Sequence, residues 1–152
     1  VNKDSGTSAS RTHLYFNNGR GKFTEYRGGG ALDALHTSRG MAFGDLDGDG
    51  DVDVVIANAG GTHQLLLNQS AAGHAIVVEL DSRAAGAVVT VSSESGSISE
   101  HAVIGGSYAG SSAPELHFGL GATCRAEVTV KYLGGATVTH SDVPPGRLRV
   151  VR

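Results

Sequence analysis

Gly40-Met41-Ala42-Phe43-Gly44-Asp45-Leu46-Asp47-Gly48-Asp49-Gly50-Asp51-Val52-Asp53-Val54-Val55-Ile56 is the stretch that decides the fold class. Apolar, strand-like residues flank five aspartates that have no basic residue among them. Ionised carboxylates at this density repel one another and push each other's pKa upward. A hard divalent cation relieves the repulsion, and calcium prefers oxygen ligands of this kind. The stretch therefore predicts β-structure built around a calcium loop.

The spacing sharpens that reading. With Asp45 as position 1, Asp47, Asp49 and Asp53 fall at positions 3, 5 and 9, and Gly50 at position 6. Alternate carboxylates on a tightly curled loop point to one centre, and Gly50 permits the bend. Asp51, at position 7, supplies its backbone carbonyl while its side chain points to solvent. A helix-loop-helix calcium site needs a bidentate Glu at position 12, but here that position is Ile56, inside an apolar strand. The loop closes early, between two strands, and an EF-hand is rejected. A solvated acidic turn is the bland alternative, and D-x-D-x-D-G-x-x-D is far more specific than a charge run. Magnesium fits less well because it resists full dehydration.

Working outward, Thr12 to Tyr26 reads as a β-hairpin, because Asn18-Gly19 is a strong turn signal. Ala31 to His36 is long enough for one helical turn only. Strands are expected at Gly40 to Gly44, Val52 to Asn58 and Thr62 to Asn68. Thr12-His13-Leu14-Tyr15-Phe16-Asn17 and Thr62-His63-Gln64-Leu65-Leu66-Leu67-Asn68 repeat one pattern at a spacing of 50, a blade-like length. From His74 onward, Ile76 to Leu80, Ala87 to Val91, Ser97 to Ile104, Glu127 to Tyr132 and Leu148 to Val151 are rich in β-branched residues. Several alternate as half-buried strands do, and together they predict an antiparallel β-sandwich or barrel. The expected organisation is an extended or flexible arm at 1–11, a repeat segment with the calcium loop at 12–72, and a β domain at 73–152.

Composition bounds the function. A chain of 152 residues with 39% hydrophobic and 18% charged residues suits one ordinary folded domain or two small ones. Its 23 glycines follow no three-residue period, which excludes collagen. The net charge is −3 and there is no Lys/Arg cluster, so nucleic acid is excluded as a partner. No apolar run approaches the ~20 residues of a membrane span. The chain starts at Val1 without a visible signal peptide, as a processed or truncated form would. Cys124, the single cysteine, allows no intramolecular disulfide and is expected as a small buried hydrophobe, with a cross-link to another chain as the sharper alternative.

Other chemistry is weaker. Seven histidines, at 13, 36, 63, 74, 101, 117 and 140, show no H-x-x-x-H spacing, and only assembly in three dimensions would make a zinc site of them. Ser107, Ser111 and Ser112 lack a G-x-S-x-G setting, and Gly105-Gly106-Ser107 is not followed by the Lys-Ser/Thr of a phosphate loop. Asn68-Gln69-Ser70 is an N-x-S sequon, so Asn68 is a candidate glycosylation site.

Phe43 to Val54 resembles the FG-GAP (VCBS-type) repeat, the calcium-bearing unit of integrin-like β-propellers. Leu14 to Thr24 resembles the outer hairpin that ends a preceding blade. The resemblance implies Asp45, Asp47, Asp49 and Asp53 as ligands, with the Asp51 carbonyl. The later half resembles the ASPIC/UnbV C-terminal domain, which follows such repeats in cartilage acidic protein and bacterial secreted proteins. Its marks are Gly86 to Val91, Gly105-Gly106-Ser107-Tyr108 and above all Leu116-His117-Phe118-Gly119-Leu120-Gly121. Where that family often has Trp-Pro-x-Gly, this chain has Tyr132-Leu133-Gly134-Gly135.

These resemblances imply a secreted binding or structural module and carry no enzymatic activity. Millimolar calcium outside cells fills weak sites, which also points to the extracellular space. Blades bury their faces against neighbours, yet at most one and a half repeats are present. The 12–26 hairpin therefore needs partners from a longer propeller, from the C-terminal sandwich, or from the next copy by strand addition. Head-to-tail addition builds an open filament. The leading expectation is an extracellular, calcium-stabilised structural or adhesion module that forms homo-oligomers or fibrils. The competing one is a lectin-like domain binding glycans or extracellular proteins through the loops after residue 104.

Overall fold

The computed structural model describes residues 8–70, 73–81, 84–103, 105 and 110–151. Within them the chain is all-β. The first strands are β1 (Leu14–Asn17), β2 (Phe23–Tyr26), β3 (Ser38–Gly44), β4 (Asp53–Asn58) and β5 (Gln64–Leu66). They are followed by β6 (His74–Leu80), β7 (Val88–Ser93), β8 (Gly96–His101) and β9 (Glu115–Gly121). The last are β10 (Ala126–Lys131), β11 (Thr137–Val143) and β12 (Gly146–Val150).

The hairpin β1–β2 forms where the Asn18-Gly19 pair places it. Asn18 organises the turn: its Oδ1 accepts the Arg20 and Lys22 amides at 2.9 and 3.2 Å. Gly19 takes φ +75°, a left-handed conformation that costs glycine little. Among the described residues β1 and β2 pair only with each other. The helical turn foreseen at 31–36 is a 3-10 turn at Gly30–Leu32. Residues 8–11 of the expected arm are fastened down, since Ser10 exchanges backbone hydrogen bonds with His36 at 2.9 and 3.0 Å. Residues 1–7 lie outside the described residues.

β3, β4 and β5 form an antiparallel sheet, with the acidic loop joining β3 to β4. The C-terminal half is a sandwich of two sheets, ordered β11-β10-β7-β8 and β12-β6-β9. Alternation explains its core. Ile76 and Val78 of β6, Val89 and Val91 of β7, Phe118 and Leu120 of β9, and Val128 and Val130 of β10 all turn inward and are buried in one cluster. No barrel closes.

Two features depart from the sequence reading. β12 runs parallel to β6, with Leu148 beside Val78 and Val150 beside Leu80, so the sandwich is not purely antiparallel. β9 and β11 are full strands that β-branched content alone did not announce: β9 carries Gly119 and Gly121, and β11 is polar, Thr137-Val138-Thr139-His140-Ser141-Asp142-Val143.

The two halves meet along β3. The Ala113 amide donates to the Phe43 carbonyl at 3.1 Å, and the Phe43 amide donates to Ser112 Oγ at 3.2 Å. Gly110 lies so close to the Met41 backbone that a Cβ would collide with it.

Candidate metal centre

The acidic loop is shaped by its own carboxylates before any ion is considered. Asp45 Oδ1 accepts the Gly48 amide at 2.8 Å, Asp47 Oδ1 the Asp49 amide at 3.3 Å, and Asp49 Oδ1 the Asp51 amide at 2.9 Å. Gly48 and Gly50 take φ +83° and +94°, where a side chain would be strained. The curl brings one oxygen each from Asp45, Asp47 and Asp49 within 4.8 Å of one another. Oxygens on opposite sides of a calcium ion, each about 2.4 Å away, stand about 4.8 Å apart. Hard, anionic, closely spaced oxygens are the donor set calcium takes, so these residues fit the ion.

Electrostatics divide the cluster. Burial opposes ionisation of Asp45, but hydrogen bonds from Arg147, Gly50 and Gly48 outweigh it and hold the carboxyl below its usual range. Asp47 is pushed upward by desolvation and by the charges of Asp49 and Asp53, against a lowering contribution from the Asp49 amide. One carboxylate of the trio is thus already countered by a cation, while its neighbour is left with surplus negative charge.

Asp53 stands apart from that trio. It is fully buried, and its two oxygens accept the Leu46 and Asn68 amides, each at 2.8 Å. Those bonds close the loop at its base and fix the chain after β5. Asp51 is half-buried rather than turned wholly to solvent, with Oδ2 3.5 Å from the Ser70 hydroxyl. Asn68 is half-buried, and its Oδ1 accepts the Ser70 amide at 3.1 Å in a turn beside the loop.

Arg147 is the residue that sequence reasoning missed. It lies on β12, 102 residues from Asp45, and its Nη2 donates to Asp45 Oδ2 at 2.8 Å. The available signal was the alternation Arg147-Leu148-Arg149-Val150, which sends both arginines to the face opposite the core.

The remaining candidates do not assemble. Among the described residues no other group of three His, Cys, Asp or Glu side chains converges, so the histidines form no zinc site there. Cys124 is exposed, contrary to the expected buried thiol, because it sits in the loop between β9 and β10 rather than on a strand. Ile104 and Gly106-Ser107-Tyr108, part of the loop named as a binding surface, lie outside the described residues. No described helix is long and apolar enough to cross a membrane.

The acidic loop between antiparallel strands is followed by a β-sandwich, and the families whose models match this order suggest a β-propeller-type module of extracellular or surface proteins. Residues 5–78 match the family model of the FG-GAP-like repeat, and residues 77–152 match that of ASPIC and UnbV. The chain belongs to the ASPIC and UnbV family and carries an FG-GAP-like repeat ahead of that domain. Among curated proteins nothing matches it.

Proposed function

We propose that this chain is an extracellular structural or adhesion module whose FG-GAP-like repeat is stabilised by calcium. The observation that carries the reading is the convergence of Asp45, Asp47 and Asp49 within 4.8 Å on a loop joining two strands. Calcium there neutralises repelling carboxylates and stiffens the β3–β4 connection, so its role is structural. On this reading the protein acts by binding and assembly, without catalysis. The test is thermal unfolding in calcium and in excess chelator. Calcium at about 100 times its Kd raises the melting temperature by roughly 5–10 °C in a domain of this size. Unchanged melting overturns the reading.

Self-assembly through the β1–β2 hairpin is the finer part of the proposal. A lone two-stranded hairpin is marginal in water, and its free edges invite further strands. Phe16 and Phe23 are 60% and 61% exposed, and Leu14, Tyr15 and Tyr26 are also exposed, so the hairpin buries little of its apolar surface. A second copy adding a strand at this edge supports head-to-tail fibrils. Negative-stain microscopy of the purified chain in calcium tests this: filaments support it, and monodisperse single particles at high concentration overturn it.

A further inference from the structure

On the outer face of the β12-β6-β9 sheet, Glu79 of β6 stands directly opposite Glu115 of β9. Like charges in that position destabilise a sheet unless a cation joins them. Arg147 is that cation: Nη1 lies 2.7 Å from Glu79 Oε1 and 3.0 Å from Glu115 Oε1. The other arm of the same guanidinium holds Asp45 Oδ2 at 2.8 Å. The Asp45 side chain is 1% exposed and Arg147 39%, so the tie is made at the edge of a buried junction. Val77, beside Arg147 in the β6–β12 register and on the same outer face, is 1% exposed. The face is therefore covered at Val77 and open toward Arg147.

One rigid fork thus grips two carboxylates on the sandwich and one in the acidic loop. Arginine suits this role because its donors are fixed in a plane and it stays charged. The grip takes Asp45 Oδ2 and leaves Oδ1 turned to the loop, where it meets the Gly48 amide.

We propose that Arg147 is a positioning residue for the cation loop, and that through it loop occupancy and docking of the sandwich against the repeat are one coupled equilibrium. The proposal rests on the calcium reading above. An Asp45 held in one orientation binds calcium more tightly, and by reciprocity calcium tightens the junction. Removing a partner that orients a metal ligand costs about 10–100-fold in metal affinity. That loss outweighs the relief of separating two cations, because Arg147 already spends its charge on Glu79 and Glu115.

The test compares the full chain with Arg147→Met, which keeps the apolar stem, and Arg147→Lys, which keeps the charge without the fork. Calcium affinity is read by calorimetry. Junction stability is read by hydrogen exchange at the Ala113 amide, which bonds across to Phe43. The expected result is about a tenfold or greater loss of affinity in Arg147→Met, with calcium no longer slowing exchange at Ala113. Exchange at the Asn68 amide, held within the repeat by Asp53, is still slowed. If Arg147→Met does not fold, Arg147→Lys is read instead, with a severalfold loss expected. Wild-type affinity and protection in the folded variants overturn the proposal and leave the calcium reading standing. A wild-type chain that takes up no calcium overturns both.

Discussion

Asp53 Oδ1 accepts the Asn68 amide at 2.8 Å, so the final aspartate of the acidic loop also anchors the chain leaving β5. Its other oxygen takes the Leu46 amide at the loop's start. Substituting Asp53→Asn replaces one acceptor by a donor and leaves a buried amide unmet. The expected cost is about 1–3 kcal/mol in urea unfolding, in chelator as well as in calcium. Asp49→Asn, at an exposed position of the loop, is expected to leave chelator stability unchanged and to weaken the calcium response, because it keeps an oxygen ligand and loses its charge. If Asp53→Asn instead loses only the calcium response, its role is ligation rather than closure.

Glu25 gathers three nitrogen-bearing side chains at the N-terminal hairpin. His13 Nδ1 lies 2.7 Å and Arg11 Nη2 2.8 Å from its Oε1, and Arg27 approaches the other oxygen. The His13 hydrogen bond, foremost, with Arg11 and Arg27 holds its carboxyl below the usual glutamate range despite some desolvation. A depressed folded pKa gives stability that is present above the unfolded value and is lost as pH falls through the folded one. Carboxyl carbon NMR is expected to show Glu25 titrating below about 4.3, the unperturbed glutamate value. In Arg11→Gln the midpoint moves back toward it. A midpoint at or above that value in the wild-type chain would contradict the cluster.

Phe118 is the largest fully buried side chain of the sandwich and belongs to the core cluster drawn from both sheets. Phe118→Ala is expected to cost roughly 3–5 kcal/mol by chemical denaturation. A loss below about 1 kcal/mol would mean that the sheets do not pack on this residue.

Cys124 is exposed. A maleimide reagent is expected to label it in the native state at close to the rate seen in urea. Strong native protection would place the thiol under cover that the fold does not provide.

What the sequence made legible was local. Asp45 to Asp53 announces its loop because ligand spacing, glycine bend and flanking strands all lie within a few residues. Asn18-Gly19 announces its hairpin for the same reason. Strands in which Val alternates with Thr, such as β7 and β10, were also readable. β9 was read as a family string rather than as a strand, because Gly119 and Gly121 dilute its alternation. The parallel pairing of β12 with β6 leaves no local mark, since two strands far apart in the chain meet only when the sandwich closes. The pairing of Arg147 with Asp45 left no local mark for that reason, and neither did the double engagement of Asp53, which depends on where Asn68 returns.

The placement of β12 beside β6 has a consequence for how the molecule is born. As the chain leaves the ribosome, Asp45 emerges 102 residues ahead of the arginine that holds it. β6 likewise emerges without the neighbour that covers one of its edges. Contacts so distant along the chain form late, after the entropy of a long loop has been overcome. Maturation of the acidic segment therefore waits on a strand synthesised well after it, and a lesion near residue 147 registers as a defect in a region translated long before it.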